Sequence, residues 1–251
     1  MQNRSIRYAA AVAVALVAVA VVSASRSHAG RAPQADQPAQ QNVVMSLQRK
    51  PPHGAVILFS GKAEEMRDNW YKRETTEPPP WIVGSEGVTV AGHTDIVTKA
   101  EFGDMFLHIE WRDLTDKNGK CLGSGNSGVG LQGRYEIQIL NSYGRKPGDP
   151  HDAGAVYSQV PPRVNMSRKP GEWQTYDIVF RAPRLADDGS LVEKPRVTVI
   201  WNGVIVQDNT EIRGPTGIQY GDFKGMPATA PLDLQGNHDV VQFRNIWLVK
   251  L

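Results

Sequence analysis

Cysteine is nearly missing from this chain: Cys121 is the single one in 251 residues. A lone thiol cannot close an intrachain disulfide, so the fold must be held by its core, and a zinc site built on cysteine pairs cannot form. Carboxylate and histidine metal sites stay open. Long segments with a 3.6-residue apolar period are also lacking, which removes helices as the main element. There is no Gly-x-Ser-x-Gly elbow, no phosphate-binding loop and no dinucleotide fingerprint, so serine-hydrolase and nucleotide chemistry lack their signatures. Charge of one sign does not accumulate either. Residues 1–29 hold three of the 28 basic residues and no acid, which leaves 25 Lys and Arg against 26 Asp and Glu. The clustered basic surface that nucleic acid demands is not there, and that class of partner is excluded.

What is present begins with an export signal. Arg4 and Arg7 precede Tyr8 to Val22, a run of only Ala, Val, Leu and one Tyr. Fifteen residues suit a signal-peptide core and fall short of the roughly 20 that span a bilayer. Ser27-His28-Ala29 places small residues for cleavage before Gly30, with Ser23-Ala24-Ser25 as the other place. An uncleaved anchor is the alternative, and a periplasmic or secreted location follows from both. If the signal is cleaved, residues 1–29 leave and the mature chain has no membrane span. Residues 30–52 are rich in Gln, Ala and Pro. They cannot bury enough apolar surface to offset their ordering entropy, so a disordered tether is expected there. Residues 53–251 then form one folded domain, and nothing in them selects an oligomeric state.

Within that domain the pattern is strands and turns. Phe106 to Trp111 puts Leu107, Ile109 and Trp111 on one face and His108 and Glu110 on the other. Ser127 to Leu131 leads through Gln132-Gly133 into Arg134 to Leu140, where Tyr135, Ile137 and Ile139 alternate with Arg134, Glu136 and Gln138. Trp173 to Phe180 alternates again. Arg196 to Trp201 and Val204 to Asp208 flank Asn202-Gly203, a strong hairpin signal. Val240 to Val249 closes the domain. With 24 glycines and 17 prolines punctuating the chain, many short strands at this spacing predict an all-β, two-sheet antiparallel sandwich or jelly roll.

The order of these segments carries a resemblance. Gly125-Asn126-Ser127-Gly128-Val129, Tyr135-Glu136-Ile137-Gln138-Ile139-Leu140, Pro170 to Asp177, Val204 to Asp208 after its Asn-Gly turn, and Phe243-Arg244-Asn245-Ile246-Trp247 together resemble the 3-keto-disaccharide hydrolase family over about residues 56–251. The resemblance implies a jelly roll of the concanavalin-like lectin and glucanase type, a polar concave face, and action on oxidised glycosides.

Several polar positions suit that chemistry. Arg134, Glu136 and Gln138 would lie on the concave face, with Glu110 and His108 on another strand of the same sheet and Asn126 at the glycine-rich entry. Ordinary glycoside hydrolysis needs two carboxylates, for which Glu110 and Glu136 are the best pair. A 3-keto sugar offers elimination instead: one base, Glu136 or His108, takes the acidified C2 proton. An electrophile stabilises the enolate, such as Arg134, a histidine or a divalent metal ion, although no cofactor is fixed by the sequence. Near the C-terminus Gln235 and His238 offer contacts to sugar hydroxyls or a divalent ion, against a plain polar turn. Tyr157 either stacks on a sugar or fills the core. Trp111, Trp173, Trp201 and Trp247 read as core, and Trp70 and Trp81 as candidates for an exposed sugar platform. The rival to an enzyme is a lectin-like carbohydrate-binding module, and a third reading is a structural surface domain.

Overall fold

A computed structural model of the chain describes residues 46–216, 223 and 226–251. Two compact units divide the chain, Met1–Gln41 and Asn42–Leu251, and every described residue belongs to the second. The expected signal and most of the expected tether lie outside the described residues. No helix among the described residues is long and apolar enough to cross a membrane.

One short helix, α1 (Ala63–Asn69), interrupts a chain of strands. In order these are β1 (Val56–Phe59), β2 (Trp70–Lys72), β3 (Ile82–Gly84), β4 (Gly87–Thr89), β5 (Ile96–Phe102), β6 (Met105–Asp113), β7 (Ser127–Leu131), β8 (Tyr135–Ile139), β9 (Gln174–Arg181), β10 (Arg184–Leu185), β11 (Leu191–Glu193), β12 (Arg196–Trp201), β13 (Val204–Glu211), β14 (Ala230–Leu234) and β15 (Val241–Lys250). They build the antiparallel jelly roll expected from the strand spacing. Eight strands form one sheet in the order β13-β12-β9-β6-β15-β4-β3, with β1 also paired to β15. Five form the other, β2-β5-β14-β7-β8, and β10-β11 stand apart as a small hairpin. The β12–β13 turn uses Asn202 and Gly203, both at positive φ (50° and 84°), the backbone that an Asn-Gly pair supplies for a two-residue hairpin.

The two sheets close on one core. Leu107, Ile109 and Trp111 of β6 share it with Val129 and Leu131 of β7 and with Tyr135, Ile137 and Ile139 of β8, all of them fully buried. Trp111, Tyr176 and Trp201 pack ring against ring at its centre. Each such aliphatic or aromatic side chain contributes roughly 1.5–3 kcal/mol of burial, which is how a chain without disulfides holds two sheets together. Because side chains alternate, the residues between these positions point out of the sandwich. Glu110 and His108 leave through the eight-stranded sheet, Glu136 and Gln138 through the five-stranded one.

Two expectations about the body of the domain change. Ser46 is buried, and its hydroxyl bonds the Thr175 hydroxyl. The Gln48 N–H donates to the Glu110 carboxylate, and Arg49 pairs with Asp177 at 3.5 Å. The docked body therefore begins by residue 46. A polar strap over a polar sheet face does not announce itself by hydrophobicity. The tryptophans also sort differently. Trp70 and Trp81 are buried (0% and 5% exposed) and form no exposed platform. Trp173 is not core: it lies on the outside, with the guanidinium groups of Arg112 and Arg244 4.7 and 4.0 Å from its ring.

Candidate active site

The outer face of the five-stranded sheet carries two rows of matched residues. In one, Asp233 of β14 pairs with Gly130 of β7, which pairs with Glu136 of β8. In the other, the Gln235 N–H donates to the Gly128 carbonyl at 3.0 Å, and Gly128 pairs with Gln138. Neighbouring strands lie ~4.8 Å apart, so each row spans about 10 Å with a glycine in the middle. The glycines keep the trough open. A Cβ on Gly128 would come within 2.7 Å of Glu136 Oε1, and one on Gly130 within 2.8 Å of Asp233 Cβ.

A cavity of about 210 Å³ opens on these rows, with Arg73, Arg134, Glu136, Thr216, Asp233 and Gln235 in its wall. Burial pushes the Glu136 carboxyl up to about 7; Asp233 and Asp95 add to the rise and a hydrogen bond from Gln235 opposes it. Asp233, 2% exposed, is also raised to about 7 by burial, with Arg73 pulling against that and Asp95 adding to it. The two differ in their partners. Arg73 Nη1 donates to Asp233 at 2.9 Å and sits 3.5 Å from Asp95, whereas the charges bearing on Glu136 are carboxylates alone. Negative charge therefore settles first on Asp233, and Glu136 is the group that titrates near neutrality. Arg134 Nη1 is buried without a hydrogen-bond partner among the described residues. An unsatisfied guanidinium donor and a near-neutral carboxylate share one cavity, the combination that proton abstraction beside a carbonyl requires.

The other expected site residues divide by location. Gln138 is buried in the second row, its amide 3.4 Å from Asn126 Oδ1 and 3.3 Å from the His151 carbonyl. Tyr157 stands behind Glu136, its N–H donating to the Glu136 carbonyl at 3.1 Å and its ring edge-on to His151. His238 is exposed, beside Asp239 and away from the trough wall.

Glu110 and His108 do not join Glu136. They belong to β6 in the eight-stranded sheet, so the expected catalytic pair straddles the sandwich with the core between its members. Alternation places each residue on an outer face correctly but does not say which sheet a strand enters, and that is where the one-sheet expectation fails. His108, fully buried, bonds Asp177 at 2.7 Å and faces Glu110 at 3.5 Å. Burial alone would lower its pKa; the hydrogen bonds to Asp177 and Glu110 outweigh that and raise it. Glu110 bonds Arg244 at 2.7 Å and Asn245 at 2.9 Å. Against its burial, donors from His108, Asn245, Arg244 and the Gln48 backbone hold its carboxyl down at about 2. A larger cavity, about 420 Å³, lies over it, but a carboxylate locked in an ion pair is a poor proton acceptor.

Arg73, Asp95 and Asp233 were not among the expected site residues. Asp233 had a signal: Asp233 and Gln235 flank the buried Leu234 at strand period, which puts both on one outer face. Arg73 and Asp95 lie just outside β2 and β5, and nothing local marks them. Among the described residues no three His, Cys, Asp or Glu side chains group as a metal centre.

Comparison with known proteins concerns the domain as a whole. The model of the 3-keto-alpha-glucoside-1,2-lyase-like domain matches residues 54–249. A solved structure from Parabacteroides distasonis ATCC 8503, assigned as a glycosyl hydrolase, is 36% identical with a TM-score of 0.69, covering 80% of this chain and 85% of its own. Two further structures from the same organism, assigned likewise, are 18% and 22% identical with TM-scores of 0.55 and 0.54. They cover 79% and 78% of this chain and 94% and 99% of their own, and share the fold. No curated protein matches.

Proposed function

Since the chain belongs to the 3-keto-alpha-glucoside-1,2-lyase-like family of carbohydrate-active domains, we propose that it cleaves 3-keto-glycosides, with Glu136 as the base. The observation that carries this reading is the shared cavity of a carboxyl raised to about 7 and an Arg134 Nη1 with no hydrogen-bond partner among the described residues. The 3-keto group acidifies the proton on C2. Glu136 takes that proton; the C2–H electron pair becomes the C1=C2 double bond, and the C1–oxygen bond breaks. The proton on Glu136 is then available to the departing glycosidic oxygen, and water can add to the enone afterwards. Arg134 donates to the C3 oxygen, where negative charge develops. Asp233 stays charged against Arg73 and keeps Glu136 basic, and Gln235 in the cavity wall offers its amide to the sugar hydroxyls. The export signal read in residues 1–29 would set this chemistry in the periplasm or outside the cell.

The test is aglycone release from a chromogenic glucoside and from its 3-keto derivative. Release from the keto form alone, falling ~10²–10⁴-fold in Glu136→Gln, is expected for a general base. Full turnover by Glu136→Gln removes that residue from the mechanism. Calorimetric binding with no release from either substrate makes the protein a carbohydrate-binding module instead.

A further inference from the structure

A second polar cluster lies at the end of β6, away from the trough, and takes no part in the chemistry proposed above. Asp113 follows Leu107, Ile109 and Trp111 on the inward face of β6, where an apolar residue is expected, and is 1% exposed. Neither of its carboxylate oxygens has a hydrogen-bond partner among the described residues. The charge that bears on it is a second carboxylate, Asp239, and burial with that neighbour pushes Asp113 up to about 7. A buried, unbonded carboxylate beside another carboxylate is costly, and such pairs persist where something neutralises them.

The surrounding backbone is shaped to these two groups. The loop between β6 and β7 wraps over them with Gly123 and Gly125 at positive φ (76° and 66°). A Cβ on Gly125 would overlap the Asp113 carboxylate, and one on Gly123 the Asp239 carboxylate. Asp239 Oδ2 accepts from Ser124 N at 2.8 Å, Ser124 Oγ at 2.6 Å and Asn126 N at 3.0 Å, while Oδ1 lies against Gly123. The Asn141 backbone flanks Gly125, its N–H donating to the Ser124 carbonyl at 2.9 Å, and its side chain reaches Cys121. The Cys121 thiol is held protonated, its pKa raised to about 11 by burial and by both carboxylates. The donors on offer are oxygens, from two carboxylates and a glycine-rich loop. That is hard-cation chemistry, unlike the thiolate and imidazole sets that select zinc.

We propose that Asp113 and Asp239, under the 114–126 loop, form a binding site for a divalent hard cation, Ca²⁺. The ion neutralises both carboxylates and fixes the loop that leads into β7, whose glycines line the trough. The experiment uses the full chain stripped with chelator and titrated with Ca²⁺ or Mg²⁺ up to about 10 mM, spanning the affinities of oxygen-ligand sites. Expected are one-site binding heat for Ca²⁺ and a Tm rise of about 3 °C or more at tenfold saturation. Asp113→Asn, which puts a neutral amide where the bare charge was, should abolish that rise without lowering Tm in chelator. Alkylation of Cys121 in the unaltered protein localises the ion without a variant: its rate should rise several-fold with Ca²⁺, because the ion cancels the two carboxylates that help hold the thiol protonated. No heat and no Tm shift overturns the proposal, as does a shift that survives Asp113→Asn or leaves Cys121 alkylation unchanged. Because these readouts need no sugar, the site stands or falls independently of the lyase reading.

Discussion

Glu136 and Asp233 face each other across Gly130, and the difference between them is one arginine. Arg73 bonds Asp233 at 2.9 Å, so the first negative charge goes there and the second proton stays on Glu136 until the pH passes about 7. A base must be deprotonated to act, so kcat/KM for a 3-keto-glycoside should rise with pH through that value. Asp233→Asn removes one of the two carboxylates raising Glu136. Its pKa falls, and the acid limb of the profile should move to lower pH even where the maximal rate drops. An acid limb that stays in place would show that Asp233 does not bear on the base. The same shift acts on stability. Glu136 is raised above the ordinary carboxylate value in the folded protein, so its contribution is fully present below about 4.5 and is lost as pH rises through about 7. Thermal melts of Glu136→Gln should therefore exceed the parent at pH 8 and converge with it at pH 4.

At the scale of elements, the trough depends on a strand that carries almost no side chains on its outer face. β7 reads Ser-Gly-Val-Gly-Leu, with Val129 and Leu131 inward and the two glycines under the site. Gly128→Ala brings a methyl within 2.7 Å of Glu136 Oε1, 2.9 Å of Glu136 Cγ and 3.0 Å of Gln235 Cδ, so the whole Glu136 side chain must swing aside. The fold should tolerate it, with Tm moving by only a few degrees, while displacing the base by about 1 Å lowers kcat on the order of 10²-fold. Unchanged turnover would mean that Glu136 does not act from this position. These strands were legible in the sequence because their alternation is clean: β6, β7, β8, β9, the Asn202-Gly203 hairpin and β15 all fall where period two and turn residues put them. Glu136, Gln138 and Arg134 were legible as an outward polar set for the same reason. What alternation cannot carry is which strands are neighbours. Glu110 reads like Glu136, each a carboxylate between core residues, and only the pairing of β6 with β9 and β15, and of β8 with β7, puts them in different sheets. Arg73 and Asp95, at strand ends, depend wholly on that pairing for their meeting with Asp233.

The whole molecule therefore presents two polar faces with opposite electrostatic character, and the core that joins them also insulates them. On one, Glu136 is raised and has no cation paired with it among the described residues; on the other, Glu110 is held at about 2 by His108, Asn245, Arg244 and the Gln48 backbone. Removing a partner from a buried pair costs about 3–5 kcal/mol because the remaining charge stays buried. Arg244→Ala leaves Glu110, 0% exposed, without that cation, so the unfolding free energy from urea titration should drop by an amount in that range. Glu110→Gln is gentler. It keeps the shape, releases a partly exposed Arg244, and should lower Tm by several degrees. Turnover separates the faces. With the core between them, Glu110→Gln should keep kcat within about twofold of the parent at temperatures where both are folded, because a change this far from the reacting groups, with no shared partner, adds independently. Glu136→Gln should lose kcat with its fold intact. The reverse pattern, activity following Glu110 and indifferent to Glu136, would move the active site to the 420 Å³ cavity over the eight-stranded sheet and end the present assignment.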